Sequence, residues 1–145
     1  MDDPDLRTRL TRRLEALVAL LPELESPDFR IGRWAGGERL PDGAITMPYF
    51  ELDERGEALL AVIGRGGWVQ PFDWMTWLDA PDGRALAEDP ERMSRATPED
   101  LSRILTAIVR SERFGDGNIA GAVESGLILR IVRRAAELLE VERRR

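Results

Sequence analysis

Thr97-Pro98-Glu99-Asp100-Leu101-Ser102-Arg103-Ile104-Leu105-Thr106-Ala107-Ile108-Val109 is the stretch that decides the fold, and it runs directly into Arg110-Ser111-Glu112-Arg113-Phe114-Gly115-Asp116-Gly117-Asn118. A hydroxyl, a proline at the first helical position and two carboxylates beside the positive end of the peptide dipoles make residues 97–100 the strongest helix start in the chain. Leu101, Ile104, Leu105, Ile108 and Val109 follow at helical spacing. The segment is therefore a core helix that delivers Arg110 and Arg113 at its C-terminal end, where arginines also complement exposed carbonyls. Beyond the Gly115–Gly117 break, Ile119, Ala122 and Val123 suggest a short helix, interrupted at Ser125-Gly126. Ile128, Ile131, Val132, Ala135, Leu138 and Leu139 then form the buried stripe of a last helix from Leu127 to about Val141, with Arg143 to Arg145 as a frayed tail.

Upstream, Asp3-Pro4 reads as an N-cap followed by proline in the first helical turn. Leu6, Leu10, Leu14, Leu17 and Leu21 recur at spacings of four and three and predict a helix ending before Pro22, with Arg7, Arg9, Arg12 and Arg13 on its solvated face. Residues 26–52 lose that period through Pro27, Gly32, Gly36-Gly37, Pro41, Asp42-Gly43 and Pro48. Extended chain is expected there, with room for one short hairpin closed near Gly36 or Asp42-Gly43. A helix follows from about Asp53 to Ile63, with Leu59, Val62 and Ile63 inward, stopped by Gly64, Gly66 and Gly67. Eight of the nine aromatic residues lie between positions 29 and 77, and the expected role of these rings is to fill a core under irregular chain. Residues 79–96, with Pro81, Asp82-Gly83 and Asp89-Pro90, read as turns and single helical turns on the surface. The expected architecture is mainly α: a single compact domain over residues 1–145, of about five or six helices, with an irregular segment around residues 28–52.

Composition removes several chemistries. The chain has no Cys, no His and no Lys, and all 21 of its basic residues are Arg. Thiol nucleophiles, disulfides, zinc fingers, imidazole bases and P-loop lysines are excluded. Carboxylates, hydroxyls, one Tyr and arginines remain for any catalysis, and no cofactor or metal is expected. The net charge of −6 argues against a surface that grips nucleic acid throughout, although residues 117–145 carry six Arg against four Glu. The apolar runs Ala16–Leu21 and Ala58–Ile63 fall far short of the roughly 20 residues of a membrane span. Met1-Asp2-Asp3-Pro4-Asp5 is acidic where a secretory signal is basic, so the expected setting is the cytoplasm.

Three functional readings compete. The first is a binding module whose pocket joins Arg110, Arg113 and Glu124 to Trp68, Asp73 and Trp74, with an anionic small molecule or a protein as partner. Glu124 could instead close the arginines into an internal salt bridge. The second is a helix-turn-helix-like pair over Asn118–Ala135, offering Arg130, Arg133 and Arg134 to duplex DNA. Gly121 and Ser125 sit where that motif usually buries aliphatics, and nucleic acid is the less favoured partner. The third is an enzyme using carboxylates such as Asp73, Asp116 and Glu124 without His or Cys. Gly115, Gly117 and Ala120 follow a helix rather than a strand, which removes the dinucleotide fingerprint. A calcium loop begun at Asp116 would place Leu127 where a bidentate Glu is needed. Binding is favoured over catalysis, and a homodimer is compatible with the sequence but marked by no heptad pattern.

Met47-Pro48-Tyr49-Phe50, Gly67-Trp68-Val69, Pro71-Phe72-Asp73-Trp74, Arg110, Arg113-Phe114, Gly117 and Glu124-Ser125-Gly126 give the chain, from about residue 20 onward, a resemblance to a bacterial family classed as a domain of unknown function. What the resemblance implies is an architecture, with no activity or catalytic residue. It also implies a His after Gly117 in many relatives, where this chain has Asn118.

Overall fold

In the computed structural model, residues 3–145 are described. Helix α1 (Pro4–Val18) begins as its sequence dictates, with the Asp3 carboxylate accepting from the Asp5 N–H at 2.9 Å. Only part of its leucine stripe is buried: Leu14 and Leu17 are sealed, Leu10 is half-buried and Leu6 is 59% exposed. The helix stops at Val18, and Leu21 belongs to the single turn α2 (Leu21–Leu24), which carries Pro22 near its start.

A two-stranded antiparallel sheet follows, β1 (Gly32–Ala35) and β2 (Tyr49–Leu52), with Gly32 opposite Leu52 and Ala35 opposite Tyr49. The connecting arm is itself bridged at Arg39 and Ile45 and turns over residues 40–44, where the Asp42 side chain accepts from the Ala44 N–H at 3.0 Å. Of the two expected closure points, Asp42-Gly43 makes the turn, while Gly36 and Gly37 only bend the chain between strand and arm. The hairpin rests on α3 (Glu54–Arg65), whose cap residue Asp53 donates its N–H to the Ile31 carbonyl at 2.8 Å.

Five further short and long helices complete the chain before its last element: α4 (Trp74–Asp79), α5 (Pro81–Glu88), α6 (Pro90–Met93), α7 (Pro98–Ser111) and α8 (Asn118–Glu124). The last, α9 (Leu127–Arg143), continues through Val141 and leaves almost no frayed tail. The mainly helical, single-domain architecture is as expected. The number of helical segments exceeds five or six because α2, α4 and α6 are too short to display a repeat. No helix among the described residues is long and apolar enough to cross a membrane.

Residues 79–96 differ most from their expectation. They form α5 and α6, and Leu86, Met93 and Ala96 are buried. Gly83 was the misleading signal. It lies inside α5, where the Trp77 carbonyl occupies the space a Cβ would need, so the glycine serves close packing of α4 on α5 rather than a turn.

The aromatic residues also depart from a core role. Trp68 is fully buried and Phe29 nearly so, but Trp34 and Tyr49 are 57% and 46% exposed; Phe114, which lies outside the 29–77 group, is 73% exposed. The small hairpin packs on α3, and a sheet of two strands is too small to bury all of its side chains. Aliphatics carry the core instead, chiefly Leu14, Leu17, Leu59, Ile63, Leu101, Ile104, Ile131 and Val132.

Helix α7 is the centre of the molecule, in contact with α4, α5, α8 and α9, while α1 and α9 make the most extensive helix pair. Its start is held by Asp100, which is 6% exposed. Asp100 accepts from the Thr97 N–H at 3.0 Å and returns its own N–H to the Thr97 hydroxyl at 3.1 Å. Arg92 bridges Asp100, at 3.2 Å, to Asp82, at 2.8 Å, so one guanidinium ties α5, α6 and α7 together.

Asp100→Ala leaves Arg92 with a lost carboxylate and the Thr97 N–H without its acceptor, and is expected to cost about 3 kcal/mol in denaturant unfolding. Asp82 is held below the usual carboxylate range by the Arg92 hydrogen bond. Its contribution is therefore complete above the ordinary Asp pKa and lost as pH falls through the depressed value. Asp82→Asn should lower stability at neutral pH and flatten the acid limb of the stability profile below about pH 4.

Candidate functional site

Helix α7 ends in a 3-10 turn, Glu112–Phe114, that leads into the glycine loop. The Glu112 carboxylate folds over this loop and accepts from the Gly117 N–H at 3.0 Å and the Ile119 N–H at 3.1 Å. It caps α8 from six residues upstream, because Gly117 has no side chain to do so. Asn118 donates from its side-chain amide to the Ser111 carbonyl at 3.0 Å, closing the loop against the end of α7.

Gly117 is required twice. Its φ of +90° lies in the left-handed region, and a Cβ there would stand 2.5 Å from Cζ2 of Trp34. The hairpin therefore lays Trp34 directly on the loop, with Phe50 edge-on behind it at 5.6 Å. Phe114 meets Trp74 at 6.1 Å between ring centres. Three separate parts of the chain thus contribute rings around residues 114–117.

Arg110 and Arg113 are exposed, and among the described residues neither forms an ion pair with Glu124. Glu124 is exposed at the far end of α8, on the wall of a 230 Å³ depression shared with Phe29 and Arg30. Asp73 is occupied as the cap of α4, accepting from the Thr76 N–H at 3.2 Å and the Thr76 hydroxyl at 2.7 Å, which holds its carboxyl below the usual range. Trp68 belongs to a different place, beneath the Arg13 guanidinium at 4.2 Å. Its carbonyl accepts from Ser102 at 2.5 Å and Thr106 at 3.1 Å, about 10 Å along α7 from Arg113. Of the six expected site residues, Trp74 joins the arginine loop through Phe114, whereas Trp68 and Glu124 do not.

The cavity beside this loop is a groove of 370 Å³ between α4, α5, α7 and α8. Leu78, Ile104, Ile108 and Leu127 give it an apolar floor, and Ser111, Asn118 and Ser125 are its polar lining. Small residues at Ala107, Gly121 and Ala122 leave the space open, and a Cβ on Gly121 would meet nothing within 4 Å. At one end Arg130 reaches from α9 to donate to the carbonyls of Ala87 at 3.1 Å and Ser125 at 3.5 Å, both of them groove residues. Gly121 looked anomalous in sequence as a helix-turn-helix position, and that anomaly was the only signal of the groove. Glu112 and Trp34 carried none, since their roles depend on contacts across the loop and the hairpin.

Two further arginines of α9 are also engaged. Arg134 donates to the Ala96 carbonyl at 2.9 Å and to Glu137 at 3.3 Å, and Arg133 pairs with Glu25 at 3.9 Å. Among the described residues no group of three or more His, Cys, Asp or Glu is arranged to hold a metal.

Two variants separate framework from surface. Arg110→Ala combined with Arg113→Ala should leave unfolding free energy within about 0.5 kcal/mol of the parent, because neither side chain has a polar partner to lose among the described residues. Glu112→Ala orphans two N–H groups and is expected to cost about 2 kcal/mol, with a red shift in tryptophan emission as Trp34 loses its seat.

No curated protein and no solved structure matches the chain. A family model does, over residues 9–141, and its description is a family of unknown function. Extending across α1 to α9 and including the whole arginine loop and groove, that match shows that the chain belongs to the family of unknown function DUF6508.

Proposed function

We propose that this protein is a binding module whose groove between α4, α5, α7 and α8 takes a small amphipathic anion. The observation that carries the reading is the pairing of an apolar 370 Å³ groove with a half-buried guanidinium beside it, Arg130, whose partners among the described residues are carbonyls of two groove residues rather than carboxylates. Small-ligand sites generally combine a concave apolar surface of about this size with a few placed polar groups. An apolar body would lie on Leu78, Ile104, Ile108 and Leu127, and its anionic group would face the Arg130 end. Arg110 and Arg113, exposed on either side of the groove residue Ser111, add positive charge to the approach. Their role in this reading is to raise the local anion concentration rather than to line the groove.

DNA binding through Arg130, Arg133 and Arg134 draws less support, because those guanidiniums already serve other elements. Carboxylate catalysis through Asp73, Asp116 and Glu124 draws less as well, since Asp73 is a helix cap and α8 separates the other two. The setting we propose is the bacterial cytoplasm, supported by a core built wholly without cysteine.

Gly121→Phe is the direct test, because the new ring enters open space on a helix that gains from losing a glycine. Titration with 1-anilinonaphthalene-8-sulfonate, itself an amphipathic anion, should show saturable binding to the parent. The variant should keep or raise the melting temperature and bind at least about tenfold more weakly. Equal binding by parent and variant would place the dye elsewhere and remove the groove as the site.

A further inference from the structure

A second cavity, of 380 Å³, opens between α1 and the first turns of α7, walled by Leu6, Leu10, Pro98, Arg13, Gln70 and Glu99. Arg13 here departs from the solvated face expected of it. Its Nε donates to the Gly66 carbonyl at 2.6 Å, its Nη2 to the Gly67 carbonyl at 3.4 Å, and its guanidinium carbon lies 4.2 Å from the centre of the Trp68 ring. These contacts close the end of α3 and hold the cation in one place, half-buried and with Nη1 uncommitted.

No carboxylate among the described residues touches Arg13. Glu99 reaches the same cavity from α7, is exposed, makes no ion pair among the described residues, and acts on Arg13 only through space. Burial lowers the Arg13 pKa and the Glu99 charge opposes that effect. Gln70 gives its side-chain amide N–H to the Gly67 carbonyl at 2.7 Å, which leaves its Oε1 to accept. The cavity thus holds a fixed donor edge, a separated acceptor edge and a wall of two leucines. Leu6, on that wall, is 59% exposed.

We infer that this cavity is a site for a free amino acid with an aliphatic side chain, bound as the zwitterion. The carboxylate accepts from Arg13 Nη1, the ammonium donates to Glu99 and Gln70 Oε1, and the side chain covers Leu6 and Leu10. Opposite charges that share a cavity without closing on one another suit a ligand that carries both signs.

The test uses the full chain and three probes: L-leucine, N-acetyl-L-leucine, which lacks the ammonium, and L-leucinamide, which lacks the carboxylate. Leucine should raise the melting temperature in proportion to the logarithm of its concentration above Kd. Each blocked form should bind at least about tenfold more weakly by calorimetry, since each loses one charged hydrogen-bonding group. Glu99→Gln should weaken leucine binding to a similar extent while lowering the melting temperature of the unliganded protein only slightly, since a carboxylate in the first helical turn adds only modestly to helix stability, so failure to fold is not a confounding result. Gly121→Phe should leave leucine binding unchanged, which keeps this site separate from the groove. No response to leucine at millimolar concentration, equal binding of the blocked forms, or unchanged affinity in Glu99→Gln would each overturn the assignment.

Discussion

A carboxylate with 6% of its surface exposed, Asp100, holds the arrangement on which the other elements depend. It completes the capping of α7 and receives Arg92, which in turn holds Asp82. An ionised carboxylate so deeply placed must be compensated almost completely, and here three separate donors compensate it. Because those donors come from Thr97, Arg92 and Arg103, satisfying one buried charge orients α5, α6 and α7 against one another. The positions of the α5–α7 groove and of the α7 C-terminus both follow from that orientation.

The two cavities share one physical theme, which is a guanidinium that is partly withdrawn from water and answered by carbonyl oxygens. Arg130 bridges Ala87 and Ser125, and Arg13 bridges Gly66 and Gly67 over Trp68. Carbonyl dipoles stabilise the cation and fix its geometry but leave its full charge in place. Such an arginine is both a framework member and a ready acceptor of an anionic group. In a chain whose only basic side chain is arginine, this dual use is available at several points. It is also why exposure alone misjudges which arginines matter: Arg110 and Arg113 are the visible pair, but the half-buried ones stand beside the cavities.

The loop between α7 and α8 shows how a site's framework can be assembled from residues that look unrelated. Glu112 supplies the cap that Gly117 cannot, and Gly117 lacks a side chain so that Trp34 can approach. Trp34 arrives on a hairpin more than 80 residues earlier in the chain, and Trp74 arrives on α4 to meet Phe114. Each contact is ordinary, yet their coincidence positions one face of the loop.

Local chemistry by itself determined the long helices of this protein. The Thr97 cap, the proline starts and the 3.6-residue repeats of α1, α3, α7 and α9 depend on neighbours within one or two turns, so they are legible without tertiary information. The hairpin was legible as a loss of that repeat with two candidate closures, Gly36 and Asp42-Gly43, between which the structure chose the second. Tertiary structure alone decided that Gly83 packs rather than turns, that Leu6 lies bare while Trp68 is sealed, and that Arg13 faces inward. It also decided that Glu112 caps the glycine loop, while Glu124 stands apart from Arg110 and Arg113. The reason is the same in each case: burial and electrostatic partnership are properties of pairs brought together across the chain, and a one-dimensional pattern records only which groups are available, not which will meet.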